Sequence, residues 1–301
     1  MKIVAWTQWS DLRVDDKIQL RSPETYPLES SDLSDIEFYV PEYFGGPKVL
    51  EYVTKMPSLK YLQVPNAGYE DALEFLRDGM ILANAAGVHN ESTAELAIGL
   101  SIAFRRGFID FTKNQIAGDW VHRKYPNMID SRIGIVGFGA IGQTIAKNLS
   151  GFSVEIVSFS KSGTNGSRKI EELSSQLPFL DIVILILPLN KQTKNLFDKE
   201  LLALMKDGAL LINVARGGIV DTEALMAELK KGRIYAALDV TDPEPLPSNH
   251  PLWFTPNVFI TPHVGGDSNA FEPRGKKLVE DQLNRLANDE ELINIVARGK
   301  Q

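Results

Sequence analysis

The sequence contains no cysteine, and this absence excludes several kinds of site at once. Without a thiol, the chain has no disulfide, no thiolate nucleophile and no cysteine-based metal centre. It also lacks an uninterrupted apolar run of about 18 residues, which is the length that a membrane-spanning helix needs. No low-complexity tract or fixed-period repeat is present. We therefore predict an ordinary folded protein with no metal site and no membrane partner.

Basic charge is scarce relative to acidic charge. The chain has 32 Lys and Arg against 39 Asp and Glu, and its formal net charge is -7. A surface that binds duplex nucleic acid normally needs a basic excess, so we expect no nucleic-acid partner. The apolar run at residues 1–6 soon reaches Gln8 and Ser10, which makes it too short for a signal peptide. It predicts a buried first strand instead, and we expect a cytoplasmic protein.

The sequence does contain many short apolar runs that alternate with segments of helical period. Six of these runs are apolar on both faces, as strands buried in a parallel sheet are. They cover residues 133–137, 154–159, 182–187, 209–214, 236–240 and 258–261. Between them, Ile141, Ile145 and Leu149 recur every four residues, and Asp221 precedes a helical segment that ends at Gly232. This alternation predicts a doubly wound α/β domain of the Rossmann type.

The first ninety residues repeat the same theme more loosely. Strands are predicted at residues 2–6, 37–40, 61–64 and 81–85, and helical stretches at 49–55 and 72–77. The stretch from 11 to 34 is irregular and receives no assignment. A smaller α/β unit is therefore predicted beside the first.

Two long helical segments connect these units. Residues 92–117 contain few helix breakers and predict one joining helix, and residues 272–288 form an amphipathic tail that would cross back to the first unit. A chain of 301 residues exceeds what one hydrophobic core usually holds. We predict one domain of residues 1–92 and 267–301, and a second domain of residues 93–266.

A glycine-rich turn carries the first functional signal. Gly137, Gly139 and Gly142 form a G-x-G-x-x-G pattern that includes Ala140 and Ile141. The pattern follows a predicted strand and opens a predicted helix, the context in which it binds dinucleotides. The first glycine permits the tight turn, the second lets the backbone approach a pyrophosphate, and the third lets helix pack on strand. The N–H groups at the start of the helix favour the negative diphosphate.

The end of the next strand predicts which dinucleotide is bound. An NAD-binding site usually carries Asp or Glu there, about 20 residues beyond the glycines. This chain has Ser160 and Lys161 instead, and Glu155 comes too early in the strand to replace the acid. Ser160 offers a hydrogen bond and Lys161 a charge to a 2′-phosphate, with Arg168 close by in sequence. The pattern favours NADP, while NAD stays possible.

Three polar residues follow the ends of three further apolar strands. Arg216, Glu244 and His263 come after the fourth, fifth and sixth runs. Carboxyl ends of parallel strands are where ligands bind, so the three would converge beside the cofactor. Arginine matches a carboxylate, and a protonated histidine oriented by a carboxylate can donate a proton to a carbonyl oxygen. Each residue alone also fits a structural role, and the remaining histidines, His89, His122 and His250, lack this strand-end position.

Together these segments resemble the D-isomer-specific 2-hydroxyacid dehydrogenase family over nearly the whole chain. The matching pieces, in order, are 137–142, 187–189 with Thr193, 213–218, 237–240 with 243–245, and 261–266. The resemblance implies a nicotinamide-dependent oxidoreductase. Residues 93–266 would be its dinucleotide-binding Rossmann domain, and residues 1–92 and 267–301 its smaller, flavodoxin-like α/β substrate-binding domain. It implies hydride transfer between NADP(H) and a small 2-keto or D-2-hydroxy acid, as in the subgroup of glyoxylate and hydroxypyruvate reductases. It also implies a homodimer built mainly through the cofactor domain.

The resemblance also implies individual roles. Arg216 would bind the substrate carboxylate and carbonyl, His263 would be the acid/base, and Glu244 would be its partner. The loop that contains Asn66, Ala67 and Gly68 resembles one whose backbone N–H groups hold the substrate carboxylate. Cofactor contacts would come from residues along the strand ends and the joining helix: Thr93, Leu187, Pro188, Val214, Ala215 and Asp239.

Two other functions stay open at this point. One is an NAD-dependent dehydrogenase of the phosphoglycerate type in a short form. The other is a nicotinamide-sensing binding protein without catalysis. Relatives of that kind keep the same catalytic residues, so the sequence does not distinguish them from enzymes. The choice of substrate acid would depend on loops such as the one that contains Tyr43 and Phe44. The aromatic rings of these residues could line a substrate pocket or could only pack against the rest of the domain.

Overall fold

The structure is a computed structural model that describes residues 2–43, 45–46 and 48–300. In it, the chain divides into two compact units. Unit 1 comprises Met1–His89 and Asn269–Gln301, and unit 2 comprises Asn90–Ser268. Phe44, which the sequence places in a candidate specificity loop, lies outside the described residues. Within the described residues, no helix is both long and apolar enough to cross a membrane.

Strands and helices alternate through most of the described chain. The strands are β1 Ile3–Trp6, β2 Ile18–Arg21, β3 Phe38–Tyr39, β4 Tyr61–Gln63, β5 Ile81–Ala83, β6 Arg132–Val136, β7 Glu155–Ser160, β8 Arg168–Lys169, β9 Ile182–Leu185, β10 Leu210–Asn213, β11 Tyr235–Leu238, β12 Val258–Ile260 and β13 Ile295–Arg298. The helices are α1 Lys48–Glu51, α2 Asn90–Arg105, α3 Phe108–Ala117, α4 Ala140–Leu149, α5 Leu173–Gln176, α6 Lys199–Leu204, α7 Thr222–Lys230 and α8 Phe271–Ala287.

Unit 2 is built on a parallel sheet in the order β12-β11-β10-β9-β6-β7-β8. The chain runs outward from β6 through β7 to β8 and then returns to β9 on the other side of β6. The strand order therefore reverses between β6 and β9, which is where open α/β sheets bind their ligands. All residues of β9 and β10 are buried between two apolar clusters. The predicted doubly wound sheet is confirmed, and its six apolar runs are β6, β7 and β9 to β12.

Unit 1 contains a second α/β sheet, in the order β13-β5-β4-β3-β1-β2. Its strands are parallel except β13, which runs antiparallel to β5. One face packs on α8 through Phe271, Leu278 and Leu283. The structure adds β2 inside the stretch from 11 to 34, where the sequence offered no assignment because the strand is only half-buried.

The prediction of one helix over residues 92–117 is wrong. Helix α2 ends at Arg105 and α3 begins at Phe108. Gly107 between them has a φ of 68°, a left-handed conformation that glycine adopts without steric cost. A Cβ at this position would also lie 2.5 Å from the ring of Tyr125. The break separates α3 from α2, and α3 buries none of its own side chains.

Candidate active site

The glycine-rich turn lies at the reversal point of the unit 2 sheet, between β6 and α4. Gly137 has a φ of 107°, and a Cβ there would lie 2.1 Å from the carbonyl oxygen of Ile186. A Cβ at Gly142 would lie 2.1 Å from the carbonyl oxygen of Gly137. These two glycines therefore allow backbone to pack on backbone, as their motif predicts.

Gly139 differs from the other two glycines of the turn. It is exposed, and a Cβ there would meet no protein atom within 4 Å. Gly139 also caps α4, and no side chain accepts a hydrogen bond from the first turn of that helix. The space beside Gly139 and the uncapped helix together fit the pyrophosphate of a dinucleotide.

Ser160 and Lys161 lie at the carboxyl end of β7, as predicted, but their side chains behave differently. The Ser160 hydroxyl accepts a hydrogen bond from Gly163 N–H at 3.0 Å and lies 2.7 Å from the Ser167 hydroxyl. Lys161 is exposed and forms no ion pair with any described residue. Arg168 is paired with Glu172 at 3.0 Å. Ser160 therefore closes the loop, and Lys161 is a cation at this strand end that no described carboxylate neutralises.

The ends of β9 and β10 form the next part of the same sheet edge. The Pro188 carbonyl accepts a hydrogen bond from the Thr193 hydroxyl at 2.7 Å, which closes the loop after β9 and leaves Leu187 half-buried. Val214 and Ala215 follow β10 and are buried. These four residues were predicted to contact the cofactor. They lie at the edge of the unit 2 sheet that also carries the glycine turn.

Arg216 is held by the buried amide of Asn213. Asn213 Nδ2 donates to the Arg216 carbonyl at 2.9 Å, and its Oδ1 accepts from Ala215 N–H at 3.1 Å. The next residue, Gly217, approaches the neighbouring strand end so closely that a Cβ would lie 1.9 Å from the Thr241 carbonyl oxygen. The turn that presents Arg216 is therefore fixed on one side by the Asn213 side chain and on the other by a close backbone contact.

His263 and Glu244 form a hydrogen-bonded pair at the ends of β12 and β11. His263 Nδ1 lies 2.5 Å from Glu244 Oε1, and the two side chains are 40% and 38% exposed. Glu244 Oε2 accepts a further bond from Thr241 N–H at 3.3 Å. No described residue hydrogen-bonds Nε2 of His263, so this nitrogen is the one that a ligand can reach.

The charge of Glu244 depends on this arrangement. Burial disfavours its ionised form, but the hydrogen bond and charge of His263, the Thr241 N–H and the charge of Arg216 outweigh burial. Together they hold the pKa of Glu244 below its usual value. Glu244 therefore stays ionised to lower pH than an isolated glutamate, and Arg216 is close enough to act on it electrostatically.

Asp239 organises the backbone that carries His263. Its carboxylate, only 2% exposed, accepts from the Thr261 hydroxyl at 2.5 Å, Val264 N–H at 2.9 Å and Gly265 N–H at 2.8 Å. His263 N–H donates to the Asp239 carbonyl at 2.8 Å, and His263 has a φ of 56°. Such a conformation is uncommon for a residue other than glycine, and the surrounding hydrogen bonds impose it here.

Helix α2 packs against the same loop. The Thr93 hydroxyl, in the first turn of α2, donates to the Gly265 carbonyl at 3.2 Å and is buried. Ser92 and Ser268 hydroxyls lie 2.7 Å apart beside it. The predicted cofactor-contact residue Thr93 thus supports the segment that follows His263.

The predicted substrate loop belongs to unit 1. Asn66 is exposed, whereas Ala67 and Gly68 are half-buried. Within the described ranges, no acceptor binds the N–H groups of these three residues. Free amides in a row are what an anion-binding loop requires.

Two residues of the site were not singled out from the sequence. Thr261 binds the Asp239 carboxylate, and Asn213 holds the Arg216 turn. Both are polar residues at the end of a buried strand, and that signal was available. The described residues also contain no group of three or more His, Asp or Glu side chains arranged for a metal ion.

Comparison with known proteins relates this geometry to a family. A sequence model described as the NAD-binding domain of D-isomer specific 2-hydroxyacid dehydrogenases matches residues 98–265. A glyoxylate reductase from Thermofilum pendens is 36% identical over 229 residues, which are 71% of this chain and 68% of the relative. A D-3-phosphoglycerate dehydrogenase from Methanocaldococcus jannaschii is 29% identical over 264 residues, 84% of this chain but 50% of that protein.

A solved structure agrees with these relatives. A D-isomer specific 2-hydroxyacid dehydrogenase from Xanthobacter autotrophicus Py2, determined in complex with NADPH and MES, is 25% identical to this chain. It superimposes with a TM-score of 0.77 and covers 98% of both chains.

The open space at Gly139 generates a prediction. Gly139→Ala should weaken NADH and NADPH binding by about tenfold, because the new methyl group occupies the approach of the pyrophosphate. The free energy of unfolding without nucleotide should change by less than about 0.5 kcal/mol, since the methyl meets no protein atom. Gly151→Ala, beyond the other end of α4 and equally open, is the matched control. Fluorescence titration and urea unfolding measure both quantities; unaltered nucleotide affinity would contradict the assignment.

Proposed function

The chain belongs to the D-isomer-specific 2-hydroxyacid dehydrogenase family, and on this premise we propose that it reduces small 2-keto acids to D-2-hydroxy acids with NADPH. The observation that carries the proposal is the 2.5 Å pair of His263 and Glu244 on the sheet edge that also holds the glycine turn. Arg216 lies on that edge and influences the charge of Glu244. This arrangement supports the roles of His263 as proton donor and Arg216 as substrate-binding cation, on the sheet edge that also carries the glycine turn.

His263 and Glu244 supply the proton chemistry. A nicotinamide cofactor, when bound, would supply the hydride for the new C–H bond at the keto carbon and would itself be oxidised. Glu244 occupies Nδ1 of His263, so Nε2 of the protonated ring is the atom that delivers a proton to the carbonyl oxygen. The O–H bond forms as the N–H bond breaks, and the neutral ring regains its proton from solvent. Glu244, ionised throughout, stabilises the charged ring before transfer.

Arg216 binds the substrate in this proposal. Its planar guanidinium suits both the carboxylate and the carbonyl oxygen, on which negative charge grows during reduction. The amides of Asn66, Ala67 and Gly68 bind the substrate carboxylate. Cofactor contacts come from residues on the strand ends and on α2: Thr93, Leu187, Pro188, Val214, Ala215 and Asp239.

The substrate is proposed to be a small acid such as glyoxylate or hydroxypyruvate. The similarity to a glyoxylate reductase supports this choice, because it extends over two thirds of that protein. The similarity to a phosphoglycerate dehydrogenase extends over half of the relative only. Oxidation of NADPH and NADH by the purified protein with glyoxylate, hydroxypyruvate, pyruvate and phosphohydroxypyruvate separates these candidates. Tight nucleotide binding without turnover on any acid would instead support a sensing protein.

Removal of the proton donor tests the mechanism. His263→Ala should lower kcat for glyoxylate reduction by at least about 100-fold, because general acid catalysis commonly contributes that much. The dissociation constant of NADPH should stay within twofold, since His263 is assigned to the substrate. Glu244→Gln should lower kcat less, because the amide still orients the ring. Normal turnover of His263→Ala would refute the acid role.

The same pair gives the reaction a defined pH dependence. The pKa of Glu244 is lower in the folded protein than in the unfolded chain. Its ionised form therefore stabilises the fold at pH values above the unfolded pKa, and this stabilisation is lost only as the pH falls through the lower, folded pKa. Reduction should therefore persist as the pH falls from 7 to 5, and decline at alkaline pH because the reaction consumes a proton. Oxidation of the hydroxy acid should show the opposite trend. These rates are measured at saturating substrate, and a flat profile for both directions would contradict the assignment.

The preference for NADPH over NADH is proposed from the end of β7. The strand ends in Ser160 and Lys161, and the nearest acid on it, Glu155, lies at its other end and pairs with Arg132 at 2.8 Å. The strand therefore carries no carboxylate at this end to bind ribose hydroxyls or repel a 2′-phosphate. Lys161 supplies a positive charge there that no described carboxylate neutralises.

Ser160→Asp tests that preference. A carboxylate at this position should bind the ribose hydroxyls and repel the 2′-phosphate, so the ratio of kcat/KM for NADPH to that for NADH should fall by at least about tenfold. Ser162→Asp adds the same charge two residues later, on an exposed side chain that bonds Thr164, and serves as control. An unchanged ratio in Ser160→Asp, or an equal fall in the control, would count against the assignment.

A homodimer is proposed from the surface of α3. This α3 surface consists of large apolar side chains exposed on α3 and the segment after it: Phe108, Phe111, Ile116, Trp120, Val121 and Ile129. Ile116 is 83% and Trp120 99% exposed. Monomeric proteins rarely expose so many neighbouring apolar groups, whereas dimer interfaces bury them. We assign a second copy of the chain as the occupant.

Light scattering tests this assembly. The wild-type protein should have twice the mass of one chain. Ile116→Glu should lower the measured mass towards that of one chain, because a buried unpaired charge disfavours the interface. Leu73→Glu changes an exposed leucine of unit 1 and should leave the mass unchanged. A wild-type monomer at micromolar concentration would refute the proposal.

A further inference from the structure

The loop after β4 is anchored through its carbonyl groups. Three consecutive carbonyls accept hydrogen bonds from one segment, residues 84–89, and they belong to Pro65, Asn66 and Ala67. Asn84 Nδ2 donates to the Ala67 carbonyl at 2.6 Å, and His89 Nε2 donates to the Pro65 carbonyl at 2.8 Å. Between them, Ala85 N–H donates to the Asn66 carbonyl at 2.9 Å. The loop is therefore held along its whole carbonyl side.

The two side-chain donors are themselves buried and oriented. Asn84 and His89 are 7% and 6% exposed. Asn84 Oδ1 accepts from Ala86 N–H at 3.2 Å, which fixes the direction of its Nδ2. The His89 ring stacks near parallel to Phe271, with centroids 5.4 Å apart, and Tyr43 stacks on both. Neither donor can therefore turn away from the loop without disrupting its surroundings.

This anchoring determines which backbone groups the loop presents. Because its carbonyls are held by residues 84–89, its N–H groups are left for another acceptor. Within the described part of the chain, the amides of Asn66, Ala67 and Gly68 bind no acceptor. Successive amides presented in this way form an anion-binding concavity.

We infer that Asn84 and His89 are positioning residues for the substrate carboxylate. They hold the carbonyl side of the loop so that the amides of Ala67 and Gly68 point at the carboxylate, and this role rests on the proposed function. The sequence offered no strand-end signal for His89, which lies directly before α2. Its imidazole acts here as a hydrogen-bond donor to backbone and takes no part in proton transfer.

Paired substitutions separate the hydrogen bond of His89 from its packing. His89→Phe keeps a ring against Tyr43 and Phe271 but removes the donor, and His89→Gln restores a donor near the position of Nε2. We expect His89→Phe to raise KM for glyoxylate about tenfold, because a misplaced loop weakens charge-assisted hydrogen bonds to the carboxylate. In the same variant, kcat should change less than KM, and the NADPH dissociation constant should stay within twofold. His89→Gln should recover most of the loss.

Two further variants guard against a general loss of stability. Asn84→Ala should raise KM in the same way, because it removes the donor to the Ala67 carbonyl. Tyr39→Phe also removes one buried donor to a carbonyl in unit 1, that of Val49 at 2.7 Å, and should leave KM unchanged. If Tyr39→Phe raises KM as much as His89→Phe does, the effect is general and the inference is wrong.

Binding of oxalate, measured by calorimetry on the NADPH complex, keeps this test independent of turnover. Oxalate affinity should fall in His89→Phe and Asn84→Ala in parallel with the rise in KM. A wild-type protein that reduces glyoxylate, with KM and oxalate affinity unchanged in both variants, would overturn the positioning role alone. A wild-type protein that neither reduces a 2-keto acid nor binds oxalate would overturn the proposed function and this role with it.

Discussion

The buried carboxylate of Asp239 is the interaction on which the candidate active site depends. It joins the end of β11 to the loop after β12 through the Thr261 hydroxyl and two backbone amides. These bonds hold His263 in a left-handed conformation that it would rarely adopt alone. The same loop then places Nδ1 of His263 against Glu244 and packs on Thr93 of α2. One buried acid thus determines where the loop that carries His263 lies.

Backbone groups, more than side chains, define the shape of both units at their functional ends. In unit 2, Gly137, Gly142 and Gly217 lie where a single methyl group would collide with a carbonyl. In unit 1, Asn84 and His89 hold carbonyls so that neighbouring amides stay available. Anions are bound best by amides that are already oriented, because orienting them at the moment of binding costs conformational entropy. In both units these glycine contacts and carbonyl anchors fix the backbone in place.

Sequence pattern predicted six of the seven strands of the unit 2 sheet, because those six are short apolar runs, and four of them, β6 and β9 to β11, are buried along most of their length. It located the glycine turn and the Arg216, Glu244 and His263 positions, since parallel strands bring their carboxyl ends to one edge. It failed at Gly107, where helical periodicity continues through a break that Tyr125 reinforces from a distance in sequence. It also missed β2, whose half-buried residues lack a strong period.

The sequence by itself determined the fold class and the residue types of the site, because strand burial and turn chemistry are local properties that residue order records. Only the tertiary structure decided that Asp239 binds the His263 loop, that Ser160 closes its own loop, and that His89 donates to Pro65. Each of these bonds depends on the direction of a side chain relative to a backbone group elsewhere in the chain. Hydrogen bonds require distance and angle together, and spacing along a sequence specifies neither.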